Sequence, residues 1–520
     1  MRADDSAGDA WGVAACLFLV ACTPVDDAPT RVPDDTGSAP AAWVTSPREA
    51  RDLDDTPGVL RVHLLAARTQ LDLGDGVPVE GYGYAERDTD GGVVPAIYPG
   101  PTLRARVGDI FVVTLENTLD VPTTIHWHGV AAPESMDGAG WMDTAIAPGE
   151  SFTYTFPLTR AGTAWYHPHI DVARQVDLGL QGFLVVEDPA EPVTDELLLD
   201  FDTWGEGPGV ETTDTDPGGQ RRPANPAART GGDTGMGHGG GGASHVYTSG
   251  TARWVVNGRL DAQVLVPAGK PVRARLLNAS NTSWLDLRAP EGATLRLLAD
   301  DQGLRGGPED VSQVVLAPGD RAEVEVLVPT GTVGAAFNWS AAPYSLAGGE
   351  TPGAPLPVVR FFADGGPDRA GSAAWPFTGA LPTPDPGRTD LAYVLTGDTH
   401  TDTWRINGER WPDVTPAQLA LGAEVVIDVR NLSATRHPFH VHGHRFEVLS
   451  IDGVVPAVQT WADTVDVGIR GRVRVRMVAD NPGRWMVHCH VLGHEAAGMM
   501  THFEVGTPVV GVSRPTGTAP

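Results

Sequence analysis

Short runs of alternating apolar and polar residues recur along most of the chain from Leu60 onward. The run from Leu103 to Leu115, around Val107-Gly108-Asp109, is one example. Gly, Pro, Asn or Asp, which favour turns, bound each run, and no long segment has a helical period. The pattern predicts an all-β protein built from short strands.

A weak internal repeat indicates that these strands form three similar units. Tyr98-Pro99-Gly100-Pro101 precedes a run ending at Asn117, Val256-Asn257-Gly258 precedes one ending at Asn278, and Ile406-Asn407-Gly408 precedes one ending at Asn431. A second repeated motif is Ala-Pro-Gly followed by an acid, found at Ala147-Pro148-Gly149-Glu150 and at Ala317-Pro318-Gly319-Asp320. Each copy is followed by an alternating strand. We expect three units of about 130–170 residues, each a β-sandwich.

Composition places the boundaries of these units. We predict three Greek-key β-sandwich or barrel domains at 55–190, 191–365 and 390–507. A Gly-rich insert at 205–250 interrupts the second domain, and a linker rich in Gly and Pro spans 366–389. Residues 23–54 predict a flexible tether and 508–520 a flexible tail.

Overall composition narrows the possible partners. The 63 Gly and 44 Pro among 520 residues suit short strands joined by turns. The formal net charge of -29 argues against nucleic acid or an anionic membrane surface as a direct partner.

The N-terminus predicts export. An apolar run from Trp11 to Ala21 is too short to span a bilayer as a mature helix. Leu19-Val20-Ala21-Cys22 resembles a bacterial lipoprotein processing box, in which the cysteine becomes the lipid-anchored first residue. We therefore expect a signal peptide at 1–22 and a periplasmic or cell-surface protein attached to the membrane only through Cys22.

Three cysteines occur in the sequence: Cys16, Cys22 and Cys489. Export would leave Cys489 as the only free thiol, with no intrachain disulfide possible. A lone thiol in an oxidising compartment is commonly protected by metal ligation.

The stretch from His488 to Met500 contains the largest group of candidate metal ligands in the chain. Successive side chains of a strand point to opposite faces, so Cys489 faces away from His488 and His490. One thiolate, two histidines and a weak axial methionine are the ligands of a blue electron-transfer copper. Cys489, His494 and Met499 supply three of them, and His437 is the candidate for the fourth.

Four histidine clusters point to a second, multinuclear site. They are His126-Trp127-His128, His167-Pro168-His169, the segment from His437 to His444, and the segment from His488 to His494. Each contains His-X-His, which in a strand puts two imidazoles on one face, roughly 6–7 Å apart. Such pairs suit neighbouring metals in a compact cluster, here between the first and third domains, with the second domain spacing them.

With these motifs, residues 55–507 resemble three-domain multicopper oxidases of the laccase and bacterial cuprous-oxidase group, which are built from cupredoxin domains. The resemblance implies three consecutive cupredoxin-like domains and four copper ions, with every ligand position filled. It implies these ligands: type 1 copper, His437, Cys489, His494 and Met499; type 2 copper, His126 and His440; type 3 copper pair, His128, His167, His169, His442, His488 and His490. His444 matches a family histidine that does not bind metal.

Two acids match positions that this group associates with proton supply to bound oxygen: Asp137 and Glu495. Reduction of dioxygen to water consumes protons, so a carboxylate beside the cluster has a general-acid role to fill. Asp463 is a weaker candidate, since it resembles a family strand near the type 1 site.

The function implied is an oxidase that couples one-electron oxidation of a small reducing substrate to four-electron reduction of dioxygen to water. The donor, expected to dock near His437 or His494 of a monomeric enzyme, stays open among phenols, aromatic amines and metal ions such as Cu(I). Two alternatives remain. A copper-sequestering surface lipoprotein without turnover would suit the acidic charge and the loop around Met236 and His238, whereas a copper nitrite reductase would not need the type 3 histidines.

Overall fold

The computed structural model describes residues 44–139, 145–192, 194–204, 253–342, 344–345, 349–350, 356–365, 374–399 and 401–506. The predicted signal peptide at 1–22, the insert at 205–250 with Met236 and His238, and the tail at 508–520 lie outside these residues.

Short β-strands dominate the described chain, as the alternating pattern predicts, and they group into three units. The first unit contains β1 (Val59–Leu71), β2 (Val79–Arg87), β3 (Val93–Ile97), β4 (Leu103–Arg106), β5 (Ile110–Asn117), β6 (His126–His128), a 3-10 turn (Glu134–Met136), β7 (Ser151–Pro157), β8 (Gly162–His167), α1 (Val172–Asp177) and β9 (Gly182–Glu187). They form two sheets, ordered β3-β2-β1-β5-β7 and β4-β9-β8-β6. Both sheets contribute side chains to one apolar core.

The middle unit has the same two-sheet construction. It contains β10 (Glu196–Trp204), β11 (Arg253–Val256), β12 (Ala262–Pro267), β13 (Pro271–Asn278), β14 (Leu285–Arg288), β15 (Thr294–Asp300), β16 (Gly303–Val311), β17 (Gln313–Leu316), β18 (Arg321–Leu327), β19 (Ala336–Ala342), β20 (Tyr344–Ser345), β21 (Gly349–Glu350) and β22 (Leu356–Asp364). The main sheets run β11-β10-β13-β18-β15-β16 and β12-β22-β19-β14-β17, and β20 pairs with β21.

The third unit carries the closing motif. It contains β23 (Leu391–Asp398), β24 (Thr403–Ile406), β25 (Ala417–Ala420), β26 (Glu424–Asn431), β27 (His437–Val441), β28 (Phe446–Ile451), β29 (Trp461–Ala462), β30 (Thr464–Val467), β31 (Arg472–Val478), β32 (Gly483–Cys489), α2 (Leu492–Ala496) and β33 (Met500–Gly506). Its sheets are ordered β24-β23-β26-β31-β28-β29 and β25-β33-β32-β27-β30.

Equivalent strands of the three units pair in the same way. β5, β13 and β26 each lie parallel to the strand that opens their unit and antiparallel to the strand on their other side. Asn117, Asn278 and Asn431, the repeated asparagines, end these strands and are fully buried. Each side-chain amide donates to at least two backbone carbonyls at 2.6–3.2 Å. The repeated asparagine therefore closes an equivalent loop in every unit by similar hydrogen bonds.

Residues 44–54, predicted as the end of a flexible tether, instead lie against the first two units. Val44 is buried and its amide donates to the Gln263 carbonyl at 2.7 Å, while the Ala50 amide donates to the Thr102 carbonyl at 2.8 Å. The prediction for these residues is wrong. The polar composition of the segment gives no sign that Val44 is buried or that its backbone pairs with the two units.

Two short helices join the first and third units beside the histidine motifs. α1 begins shortly after His169, and α2 follows His490 and contains His494. Their apolar side chains pack together in one cluster of Val172, Ala173, Val176 and Leu492. In the described part of the chain, no helix has the length and apolar character needed to cross a membrane.

Candidate metal centre

Two adjacent strands of the third unit, β27 and β32, bring the closing motif and the preceding histidine segment together. Phe439 lies opposite Cys489, and His440 lies opposite His488. Because side chains alternate along a strand, Cys489 points into the apolar core of the unit while His488 points to the other face. One strand therefore serves two separate sites.

The first site is a buried group of one sulfur and two imidazoles. The Cys489 Sγ lies 3.3 Å from His437 Nδ1 and 3.5 Å from His494 Nδ1, and the two Nδ1 atoms are 3.2 Å apart. Ser433 Oγ contacts His437 Nε2 at 2.7 Å, which leaves Nδ1 turned toward the sulfur. Met499 is fully buried beside the group, and its carbonyl accepts the Cys489 amide at 3.2 Å.

Burial determines the charge state of this site. It lowers the pKa of His437 to about 3, so the imidazole is neutral and its lone pair is available to a metal. Burial also raises the pKa of the Cys489 thiol well above its ordinary value, so a bound cation is needed to favour the thiolate. A soft cation between these three atoms satisfies both requirements.

An aromatic side chain covers the site on the side of His494. The Trp404 ring stacks on the imidazole with centroids 3.6 Å apart, and both rings are fully buried. His437 is also fully buried. A donor docking near either histidine, as the sequence predicts, would therefore meet the covering residues and not the imidazole itself.

The second site gathers eight buried histidines from the first and third units. They are His126, His128, His167, His169, His440, His442, His488 and His490. β6 pairs with β8 so that His126 lies opposite His167. β27 and β32 supply the other half of the cluster, and thus all four sequence motifs meet at one place.

Six of these histidines form two triads. The rings of His128, His167 and His490 have centroids 5.0–5.9 Å apart. In the second triad, His169, His442 and His488, the centroids are 5.0–5.4 Å apart. The remaining two rings, His126 and His440, are 5.9 Å apart.

Two facing ring nitrogens in the second triad are arranged to fit a cation. His442 Nδ1 lies 2.8 Å from an Asp137 carboxylate oxygen, and His488 Nδ1 lies 3.1 Å from the Cys489 carbonyl. Both partners are acceptors, so each Nδ1 carries the proton and each Nε2 carries a lone pair. The two Nε2 atoms are nevertheless only 3.0 Å apart. A metal ion between them would turn this repulsion into ligation.

Four other cluster histidines have one ring nitrogen beside an acceptor and the other directed inward: His126, His128, His167 and His440. His126 Nδ1 and His440 Nδ1 contact the carbonyls of Asp137 and Asp463 at 2.9 and 3.0 Å. Their Nε2 atoms, with His128 Nδ1, His167 Nε2 and both ring nitrogens of His490, are buried without a hydrogen-bond partner. Metal-ligating histidines have this arrangement, because the second nitrogen fixes the tautomer.

Both acids singled out by the sequence lie against the triad of His169, His442 and His488. Glu495 approaches His488 Nδ1 at 3.1 Å and His169 Nε2 at 3.5 Å. Burial alone would raise the pKa of Asp137, but the adjacent His442 and His126 outweigh it and hold that pKa well below its ordinary value. Asp137 and Glu495 therefore both contact histidines of this triad.

Asp463 lies at the histidine cluster, and its contacts are not with the type 1 residues. Its carboxylate contacts His128 Nε2 at 2.9 Å, and its carbonyl contacts His440 Nδ1 at 3.0 Å. Arg321 of the middle unit holds the same carboxylate with two hydrogen bonds. Sequence reasoning missed Arg321, although the Ala-Pro-Gly-Asp motif that precedes it was a usable signal. It also missed Ser433 and Trp404, which no motif marks.

Comparison with known proteins agrees with this geometry. Two family models described as multicopper oxidase match residues 86–191 and 383–509. The chain is 32% identical to the multicopper oxidase MmcO of Mycobacterium tuberculosis over 431 residues, which cover 78% of this chain and 81% of the relative. It is 28% identical to a Staphylococcus aureus multicopper oxidase, covering 78% of this chain and 82% of the relative.

Solved structures give the same result for the fold. A multicopper oxidase of Pseudomonas thermotolerans superposes with a TM-score of 0.64 at 30% identity, covering 86% of this chain and 99% of that one. A Campylobacter jejuni multicopper oxidase, a metallo-oxidase, superposes with a TM-score of 0.71 at 22% identity, covering 89% and 95%. At that identity the second likeness concerns the fold alone.

Together, the sheets and the buried sulfur and imidazole groups define a copper oxidase built from cupredoxin-like domains. The chain belongs to the multicopper oxidase family. It is a laccase-like enzyme that couples one-electron oxidation of a reducing substrate to the reduction of dioxygen to water. The predicted fold class, family and activity are confirmed.

Proposed function

We propose that the enzyme holds four copper ions in two sites. The ligands are, for type 1, His437, Cys489, His494 and Met499; for type 2, His126 and His440; and for the type 3 pair, the triads His128, His167, His490 and His169, His442, His488. The observation that carries the proposal is the pattern of ring nitrogens, in which one is occupied by an acceptor and the other faces a neighbouring ligand. Imidazole and thiolate together suit copper.

Copper, when bound, supplies one-electron redox chemistry that collects four electrons from successive donors and passes them to dioxygen. The chain contributes the connection between the sites, because Cys489 is joined to His488 and His490 by single peptide links. Both sites are buried, and most of the imidazoles are held by a contact to their second nitrogen, so little reorganisation is needed when an electron moves.

Asp137 and Glu495 are proposed to move the protons that dioxygen reduction consumes. Asp137 lies 2.8 Å from His442 Nδ1 and Glu495 lies 3.1 Å from His488 Nδ1, so each can relay a proton across a short contact at the edge of the second triad. Both are nearly fully buried, so their protons must arrive through water or an adjacent polar group.

The remaining features of the proposal rest on the sequence. We propose a monomer of three domains at 55–190, 191–365 and 390–507, exported and anchored to the membrane only by a lipid on Cys22. Ligation of Cys489 would then protect the one thiol left in an oxidising compartment. The donor class stays open among phenols, aromatic amines and Cu(I).

Cys489→Ser tests the assignment. We expect copper-loaded wild type to show the intense absorption of a blue copper–thiolate site and to consume oxygen with a phenolic donor. The variant should lose the blue absorption and turnover yet keep the copper of the histidine cluster, because serine cannot supply the soft ligand. Fully loaded wild type that is colourless and consumes no oxygen would refute the proposal, and Ser433→Ala serves as a milder control beside the same site.

A further inference from the structure

The middle unit places one fully buried charge beside the histidine cluster. Arg321 opens β18, directly after the turn of Ala317-Pro318-Gly319-Asp320, and has no exposed surface. Its guanidinium donates to both Asp463 carboxylate oxygens, at 2.9 and 2.5 Å. It also donates to the Thr163 carbonyl at 3.0 Å. Arg321 therefore contacts the first and third units at once.

Asp463, whose carboxylate Arg321 holds, contacts two cluster histidines, one through that carboxylate and one through its backbone carbonyl. Asp463 contacts His128 Nε2 at 2.9 Å, which leaves His128 Nδ1 for a metal. The Asp463 carbonyl contacts His440 Nδ1 at 3.0 Å, which leaves His440 Nε2 directed inward. Both remaining nitrogens are buried and have no hydrogen-bond partner. Because one residue serves two ligands, a shift of Asp463 would move both.

A second residue of the middle unit supports the same carboxylate. The Gln302 amide donates to Asp463 Oδ2 at 2.5 Å and to the Gly129 carbonyl, directly after His128, at 3.1 Å. The turn before Arg321 also touches the cluster, since a Cβ built on Gly319 would lie 2.8 Å from His490 Cγ. Three residues of the middle unit thus form one wall of the site.

We propose that the middle unit is part of the copper cluster's support, with Arg321 and Gln302 acting as positioning residues that fix Asp463 and, through it, the ligating nitrogens of His128 and His440. The inference rests on the proposed copper ligands. It assigns the middle unit a role beyond spacing the other two. Residues that orient metal ligands commonly contribute 10–100-fold to metal affinity, so the effect should be measurable.

A simpler explanation is that Arg321 is only a buried, paired charge that stabilises the fold, and the chain offers a matched control for it. Arg273 is another buried arginine of the middle unit, paired with Glu323 and with Glu191. None of its described contacts is with a histidine, or with an acid that contacts one. Replacing each arginine by lysine keeps the charge but removes the planar fork that grips two oxygens.

The experiment compares Arg321→Lys with Arg273→Lys in the full copper-loaded protein. Total copper, the electron paramagnetic resonance signal of type 2 copper, and the rate of copper loss to a chelator are measured beside the blue absorption. We expect Arg321→Lys to hold the cluster copper about 10–100-fold more weakly. Its type 2 signal should change while the blue absorption persists, and Arg273→Lys should retain both.

Unchanged copper content and type 2 signal in Arg321→Lys would overturn the inference, as would an equal loss of cluster copper in Arg273→Lys. If Arg321→Lys does not fold, Gln302→Ala tests the inference in its place, because it removes an uncharged hydrogen-bond donor to the same carboxylate. A smaller loss in the same direction supports the inference, and no change overturns it. Failure of the proposed copper sites would appear separately, as a wild type that lacks both signals.

Discussion

Gly319→Ala is the sharpest test of how closely the middle unit packs on the proposed copper ligands. Gly319 has φ +87°, and a Cβ added there would lie 2.8 Å from His490 Cγ, 2.9 Å from Nδ1 and 3.0 Å from Cδ2. Real Cβ atoms do not approach other atoms this closely, so either the turn or the ring must move. The substitution thus acts directly on a proposed type 3 ligand.

The size of the effect follows from two separate contributions. A non-glycine residue at positive φ costs about 1–2 kcal/mol, whatever surrounds it. Relief of the overlap requires a movement of roughly half an ångström, which exceeds the ~0.2 Å tolerance of metal–ligand distances. We therefore expect both a lower melting temperature and a weakened hold on copper.

Gly149→Ala separates the two contributions. Gly149 lies in the equivalent Ala-Pro-Gly turn of the first unit, has φ +81°, and has no atom within 4 Å of an added Cβ. Both variants should lose stability, about 2–4 °C in melting temperature for each kcal/mol. Only Gly319→Ala should lose cluster copper, measured as metal content and as the type 2 resonance signal. Equal copper content and identical spectra in the two variants would refute the reasoning.

Two further predictions concern buried polar groups outside the cluster. Asn431→Ala and Asn278→Ala should both lower the melting temperature. Each substitution leaves buried backbone carbonyls without a hydrogen-bond donor, which costs about 1–3 kcal/mol per carbonyl. Only Asn431→Ala should alter the blue absorption, since Asn431 holds Ser433, which contacts His437; an unchanged spectrum would contradict this. Burial raises the pKa of Asp202 to about 7 from an ordinary 3.8, so the folded state retains a proton that the unfolded state releases. Stability should therefore fall as pH rises from about 4 to about 7, by up to about 4 kcal/mol. In chemical denaturation series Asp202→Asn should reduce that slope, and an identical slope in wild type and variant would count against the assignment.

Local spacing made the clustering of the histidines and Cys489 predictable, while their role as copper ligands stays a prediction. His126 and His128 are two residues apart on one strand, so their alternation alone puts both imidazoles on one face. The same reasoning separates Cys489 from His488 and predicts two sites on one strand. Turn residues and the repeated asparagines were likewise sufficient for an all-β chain of three similar units.

Contacts between units could not be read in the same way. Arg321 and Asp463 are 142 positions apart, and nothing in the sequence around either residue indicates that the two side chains meet. The stacking of Trp404 on His494 and the packing of residues 44–54 against the first two units could not be predicted from local sequence either. These contacts depend on how the strands and the units pack against one another, and the alternation of side chains along a strand carries no information about that packing.

One repeated turn shows how the middle unit contacts the proposed copper ligands without supplying any of them. The turns around Gly149 and Gly319 share a sequence and a positive φ, so each closes an equivalent loop by its own backbone hydrogen bonds. In the first unit that turn faces open space, whereas in the middle unit the third unit covers it and His490 lies against it. Glycine is needed at both positions for the backbone, but only at Gly319 does the missing side chain also make room for a ligand. The same backbone turn thus has a structural role in one unit and a positioning role in the other, and only the neighbouring unit decides which.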